Sequence, residues 1–278
     1  MGAGDIGGAA SQALAASGVV KRVVIVDTAE SAAAGKALDI QQSLAIAGVD
    51  TRLQGTSDLT RAAGCAVCVV ADQFGREARE WSGAEGLQML GTLRPILVRA
   101  PVVFAGAAQH GLLLEAAVHG GYAVHRLIGS SAEALAGAVR SMVAVEARCA
   151  PAEVSASILG APPSLTVAWS EASIAGHALE RVLTPPQLAR LDARARALWP
   201  PQALALGAAA ATVAGAVIRS ARRACSVLTV LDGEYGVRGV VGALPALLST
   251  SGIVHRRAPA LSPRERVQLE TALGAPSR

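Results

Sequence analysis

Aromatic residues are scarce in this chain of 278 residues: two Phe, two Tyr and three Trp, or 3%. Its cores must therefore be assembled from Ala, Val, Leu and Ile, whose individually weak contacts add up by number. Charged residues are also sparse, at 17% against 52% hydrophobic. That balance excludes an intrinsically disordered chain, which combines low hydrophobicity with high net charge. Positive charge is almost all arginine, and it is scattered. The closest basic pairs are Arg222-Arg223 and Arg256-Arg257. No basic stripe interleaved with aromatics is present. A nucleic-acid partner is therefore not expected, despite a net charge of +4.

Long apolar runs are missing too. A membrane-spanning helix needs roughly 18–20 apolar residues. The most apolar stretch, 203–218 (ALALGAAAATVAGAVI), is shorter, rich in Ala and Gly, and followed by RSARR. It reads as a buried helix, and no membrane association is expected. Residues 1–20 have no basic segment leading into an apolar run, so no secretory signal is read there. The four cysteines are Cys65, Cys68, Cys149 and Cys225. Cys65 and Cys68 form a CxxC, but they sit in the strand-like run GCAVCVVA. Residues three apart on a strand face opposite sides, and no second CxxC or CxxH completes a metal site. Cys65 and Cys68 are expected to be buried structural thiols rather than metal ligands, and the chain is expected to be a reduced, cytoplasmic protein with no metal.

What is present is a regular alternation. An Ala-rich helix follows the opening glycines. Then come KRVVIVDT (strand), SAAAGKALDIQQSL (helix), CAVCVVAD (strand), EGLQMLGTLRPILVRA (helix), PVVFAGA (strand), GLLLEAAVHGG (helix) and HRLIGSS (strand). Strands alternating with helices at this spacing predict an α/β, doubly wound, mostly parallel sheet. The second half changes character. A long helix, SAEALAGAVRSMVAVEAR, leads into antiparallel strands (EVSASILG, LTVAWSEASIAG), two helices and a strand meander turning at Asp232-Gly233. A final helix is announced by Ser262, Pro263 and Glu265, a capping box with proline in the first turn. The shift in pattern places a domain boundary near residue 130, giving domains 1–130 and 131–278.

Gly2, Gly4 and Gly7 form G-x-G-x-x-G at the start of a helix. Asp27 ends the next strand, 20 residues after the last glycine. This combination is the dinucleotide fingerprint. The glycines permit a tight turn, close approach of a pyrophosphate, and close helix–strand packing. The helix N-terminus, at Asp5 and Ile6, offers free N–H donors to phosphates. Asp27, with Thr28 beside it, would take the adenosine ribose hydroxyls and disfavour a 2′-phosphate, so NAD is preferred to NADP. The fingerprint should follow a strand, yet only Met1 precedes Gly2. Without that strand its neighbours would carry unpaired backbone groups, each costing about 1–3 kcal/mol. The natural protein is therefore expected to begin several residues upstream, or else to use a substitute strand.

The order of these segments resembles the lactate/malate dehydrogenase superfamily over nearly the whole length. GAGDIGGA resembles the family's cofactor turn, and VVIVDT its second strand. RLIGSS resembles the strand at the domain junction. SILG with VAWSEASIAG resembles the catalytic-domain strands, and LDGEYGVRGVVGALPALL the late hairpin. The resemblance implies a Rossmann-type domain followed by an α+β substrate domain, assembled as a homodimer or homotetramer, with NAD as cofactor and a small-molecule substrate. It also implies a histidine base, an aspartate that orients it, and arginines that hold the substrate carboxylate and carbonyl. Those positions fall here on Pro162 (base), Ala136 (orienter) and Val139 (clamp). The family's cofactor-contacting asparagine falls on Ala107. Its mobile loop covers roughly 72–91, where Arg76 and Arg79 are the nearby arginines. After the strand-end Ala71 the family's glycine is Asp72, a carboxylate expected to weaken pyrophosphate binding. The weak replacements are His110 as a repositioned base, and Arg140, Arg76 and Arg79. Ser170 and Glu171 are read as strand residues facing away, and Asp232 and Glu234 as turn residues.

Of three readings the first is preferred and the other two are alternatives. The first is an NAD-binding relative without 2-hydroxyacid dehydrogenase activity. The second is a divergent oxidoreductase for a less charged substrate. The third is a structural partner protein without cofactor.

Overall fold

The computed structural model describes residues 1–75 and 79–274. Arg76 therefore lies outside the described residues. The first half contains α1 (Asp5–Ala16), β1 (Arg22–Val26), α2 (Glu30–Ile46), β2 (Arg52–Thr56), β3 (Cys68–Val70), β4 (Asp72–Gln73), β5 (Arg79–Glu80), α3 (Gly83–Leu97), β6 (Val102–Phe104), α4 (His110–Val118) and β7 (Leu127–Gly129). The second half contains α5 (Ser131–Ala147), β8 (Val154–Ser155), β9 (Ile158–Ala161), β10 (Ser164–Val167), β11 (Ser173–Ile174), β12 (His177–Ala178), α6 (Pro185–Arg196), α7 (Ala203–Arg219), β13 (Cys225–Asp232), β14 (Arg238–Ser249), β15 (Gly252–Arg256) and α8 (Pro263–Ala272).

The expected α/β architecture is present. β3, β6 and β7 are parallel, in register at Val69↔Val103 and Val103↔Ile128. All of β6 and β7 is buried, as for strands covered on both faces. Successive residues of β6 serve opposite cores. Phe104 packs with Leu90, Leu93, Leu112 and Leu113, whereas Val103 packs with Ile6, Ala10, Ile128 and Val213. β13 then joins β7 antiparallel, at Leu228↔Gly129. The sheet continues as β14, β9 and β10, with β15 on β14. α7 is the buried Ala-rich helix read from 203–218. It packs against α1 so closely that a Cβ on Gly207 would lie 2.5 Å from Ala9 Cβ. α8 carries the expected capping box: Ser262 caps Glu265, and Pro263 opens the helix.

β1 and β2 pair only with each other, in parallel, and stand apart from β3. Between β1 and β3 runs a slot of about 400 Å³, lined by Val23, Val24, Val26, Val67, Val69 and Leu14 among others. The chain bridges one end of it. The Met1 amino group donates to Val69 O (2.6 Å). Ala71 N–H donates to Met1 O (2.9 Å), and Gly2 N–H to Val26 O (2.7 Å). Met1 and Gly2 thus make ladder bonds to strands on both sides.

Two local expectations are corrected. The strand read across CAVCVVAD is only Cys68–Val70, and Cys65 lies ahead of it in the loop after Gly64. Strand alternation therefore does not govern this pair, because only Cys68 is on the strand. Cys68 and Cys225 are buried, and loss of hydration pushes both thiols up to about 12. Ser170 and Glu171 lie in a 3₁₀ turn (Trp169–Glu171), not on a strand. Ser170 is held there by Glu265 of α8, which accepts from both its N–H and its hydroxyl.

Candidate functional site

The glycine turn has the geometry its sequence announces. A Cβ on Gly7 would sit 2.2 Å from Gly2 O, so the third glycine is needed for the turn to close on itself. Gly4 is the N-cap of α1 and has no side chain to accept the free N–H groups of the first turn. The donors at Ile6 and Gly7 point into the cleft, where a phosphate would be held.

Asp72 takes that place. Its Oδ2 accepts from Ile6 N–H (3.1 Å) and its Oδ1 from Gly7 N–H (2.8 Å). The side chain is almost wholly buried, at 1% exposure. A Cβ on Gly4 would lie 2.3 Å from the Asp72 carboxyl carbon, so the second glycine makes room for this carboxylate. Asp72 caps α1 from a distance, as a local Asp or Ser N-cap would.

Asp27 sits directly after β1 and is also buried. Its Oδ2 accepts from Ala3 N–H (2.7 Å) and Phe74 N–H (3.0 Å), and its Oδ1 from Ala29 N–H (2.9 Å). The Thr28 hydroxyl is 3.4 Å from the same Oδ1. Asp27 therefore joins the glycine turn, the start of α2 and the segment after β4. Lys36 lies alongside, with Nζ donating to Gly4 O (3.0 Å).

At the far end of the cleft, β4 and β5 pair antiparallel with Asp72 opposite Glu80. The Glu80 carboxylate accepts from Ala107 N–H (3.0 Å) and Ala108 N–H (2.8 Å). Gly106 leaves the room, since a Cβ there would lie 2.1 Å from Glu80 Oε2. Burial pushes the Glu80 carboxyl above its ordinary range, against the opposing pull of the Ala108 and Ala107 amides. Gln109, fully buried, locks the floor. It accepts from Gly106 N–H (2.8 Å) and donates to Ala71 O (2.8 Å). Sequence reasoning named neither Glu80 nor Gln109 as a site residue. Glu80 reaches Ala107 across 27 residues and Gln109 reaches Ala71 across 38, separations that no local pattern announces.

Hydrogen bonds thus link Ile6 and Gly7 to Asp72, Gly4 to the Asp72 backbone, and Asp27 to Ala3 and Thr28, while Ala71 bonds to Met1 and Ala107 to Glu80 opposite Asp72. His110 starts α4, with Nδ1 3.3 Å from Ala107 O. Arg79 does not join these groups; it is exposed and pairs with Glu85. Arg140 also lies elsewhere. It pairs with Glu133 (2.8 Å) and lines a separate cavity of about 820 Å³ with Arg222, Arg223 and Arg257. Ala136 and Val139 are fully buried on α5, in the core cluster that includes Ile158 of β9. Pro162 sits in the β9–β10 turn. Asp232 and Glu234 flank the β13–β14 turn as expected, Glu234 pairing with Arg256 (2.6 Å).

The donor set of the cleft fits a dinucleotide: helix amides for phosphate, a strand-end carboxylate for ribose, and further amides at Ala107 and Ala108. The fit is conditional, because Asp72, Phe74 and Glu80 already engage these groups. Among the described residues no cluster of His, Cys, Asp and Glu is arranged to hold a metal. No described helix is long and apolar enough to cross a membrane.

No protein-family model matches the chain. Curated relatives do. Malate dehydrogenase of Salinibacter ruber is 24% identical, covering 99% of this chain and 92% of its own length. That of Thioalkalivibrio sulfidiphilus is 26% identical, covering 98% and 94%. Among solved structures, the Salinibacter ruber malate dehydrogenase superposes with a TM-score of 0.86 at 23% identity, covering 98% and 92%. The lactate dehydrogenase of Cryptosporidium parvum, solved with lactic acid and nicotinamide adenine dinucleotide, gives a TM-score of 0.85 at 22% identity, with the same coverage. The fold expected from the glycine turn and the strand order is thus the fold of these malate and lactate dehydrogenases. Along essentially its full length the chain is similar in sequence to malate dehydrogenases and shares the fold of malate and lactate dehydrogenases.

Proposed function

We propose that this protein binds NAD in the cleft between the glycine turn and Asp27 and does not carry out 2-hydroxyacid oxidation. One observation carries the reading. The cofactor half keeps its turn, helix amides and strand-end carboxylate, while the positions carried over for base, orienter and clamp hold Pro162, Ala136 and Val139. None of these can move a proton or grip a carboxylate, and two of them are sealed in the core. Loss of positioned acid–base groups alone typically lowers a rate by about 10²–10⁴-fold.

NAD, when bound, would supply a hydride-accepting nicotinamide. The chain's own residues would do the holding: Ile6 and Gly7 amides toward phosphate, Asp27 toward the adenosine ribose, Ala107 and Ala108 amides at the far end. The negative charge of Asp27 disfavours a 2′-phosphate. Residues 1–130 form the cofactor domain and 131–278 the substrate-type domain in this reading, within a cytoplasmic homodimer or homotetramer. A second reading, a divergent oxidoreductase for a less charged substrate, is favoured by His110. It stands at the cleft beside Glu80, the one histidine so placed among the described residues.

The test is steady-state oxidation of NADH with oxaloacetate or pyruvate. The expected result is no turnover above background at millimolar substrate. Turnover near the usual enzyme scale of about 10 s⁻¹ would overturn the reading. Turnover with an uncharged carbonyl compound, abolished by His110→Ala, would establish the second.

A further inference from the structure

We propose that the paired strands β4 and β5 form an internal plug, whose carboxylates occupy the dinucleotide cleft and must be displaced before a ligand enters. The inference rests on the dinucleotide reading above.

Three contacts carry it, all from one short hairpin. Asp72 takes the Ile6 and Gly7 amides at the helix N-terminus. Phe74 N–H takes Oδ2 of Asp27, the acceptor meant for ribose. Glu80 takes the Ala107 and Ala108 amides. These are the phosphate, ribose and far-end contact points of the cleft, and the hairpin satisfies all three. A carboxylate is the natural occupant of a helix N-terminus in place of phosphate, because both are anions accepting backbone N–H bonds. The spaces it uses are those left by glycines: Gly4 opposite Asp72 and Gly106 opposite Glu80. Asp72 and a pyrophosphate cannot share the Ile6 and Gly7 donors. Their like charges would also repel at contact distance in a buried site.

The consequence is competition within one chain. Binding is reduced by the fraction of molecules in which the hairpin is lifted, and removing the plug removes that penalty. Asp72 is then a positioning residue of the closed state, not a cofactor ligand.

The experiment titrates the full chain, Asp72→Gly and Asp72→Asn with NADH, following fluorescence. Circular dichroism and thermal unfolding verify that each variant is folded. Asp72→Gly is expected to bind at least tenfold more tightly than the unsubstituted chain, about 1.4 kcal/mol. Asp72→Asn keeps an acceptor but loses the charge, and should fall between. Amide exchange gives a second readout: saturating NADH should speed exchange at Phe74 as the hairpin lifts. Saturable binding of equal affinity in all three proteins, or unchanged exchange at Phe74 on saturation, would overturn the plug and leave the dinucleotide reading standing. Absence of binding by all three at millimolar NADH would overturn both.

Discussion

The Asp72 carboxylate lies 2.8 Å from the Gly7 amide nitrogen, 65 residues earlier in the chain. It also accepts from Ile6, so two donors of the first turn of α1 depend on a single remote side chain. Removing an N-cap acceptor of this kind costs about 0.5–2 kcal/mol. Asp72→Ala is therefore expected to lower ligand-free stability by about that amount in urea unfolding. Saturating NADH should restore more stability to the variant than to the unsubstituted chain. Equal stability of the two ligand-free proteins would show that α1 does not depend on this cap.

The slot between β1 and β3 gives a second prediction. Met1 and Gly2 already make ladder bonds to Val69, Ala71 and Val26, in the pattern of a parallel strand between two others. An extension of five β-branched residues ahead of Met1 should continue that ladder and fill the apolar gap. The expected outcome is a rise in Tm of several degrees, since each 1 kcal/mol is worth roughly 2–4 °C in a protein of about this size. Slower amide exchange at Val24 and Val69 should accompany it. An unchanged Tm with unchanged exchange would mean the slot does not accept a strand.

Acid should loosen the C-terminal helix through Glu265. Burial pushes its carboxyl upward, but hydrogen bonds from Ser170 and Ser262 outweigh that and hold it below the usual range. A carboxyl with a lowered folded-state value stabilises the fold above its unfolded value, near about 4.3. That contribution is lost as pH falls through the folded value. The stability difference between the unsubstituted chain and Glu265→Gln should accordingly be full at pH 6–7 and shrink below about pH 4. A difference that stays constant from pH 7 to pH 3 would contradict the assignment.

Restoring one catalytic group should not restore catalysis. On the proposed reading, Pro162→His places an imidazole in the β9–β10 turn at the base position, while Ala136 at the orienter position and Val139 at the clamp position carry no polar group. Reduction of oxaloacetate by this variant is expected to stay at background. Turnover more than tenfold above the parent chain would show that the substrate machinery survives in other residues.

Much of this was legible in the sequence because its signals are local. Gly2, Gly4, Gly7 and Asp27 are tied by turn geometry and by the length of one helix and one strand. Ser262, Pro263 and Glu265 announce α8 within four residues. The gap beside β1 followed from Met1 standing alone before Gly2. Asp72 was half legible: its place at a strand end gave its nearness to the phosphate site, but not its two bonds to α1. Glu80 and Gln109 carry no signal, because their partners, Ala108 and Ala71, become neighbours only when β3, β6 and the hairpin assemble. Cys65 was misplaced because apolar residues continue past the point where the backbone leaves the strand. Ser170 was misplaced because its turn is fixed by Glu265, 95 residues away.

The central claim is that this cleft holds NAD while the substrate machinery is gone, and an equilibrium titration of the full chain tests it most directly. NADH and NADPH would each be added to the unsubstituted protein, following fluorescence, with oxaloacetate present in a parallel sample. The account predicts saturable NADH binding, weaker NADPH binding because Asp27 repels the 2′-phosphate, and an NADH signal unchanged over time with oxaloacetate. No saturation at millimolar NADH, or steady NADH consumption once oxaloacetate is added, would contradict it.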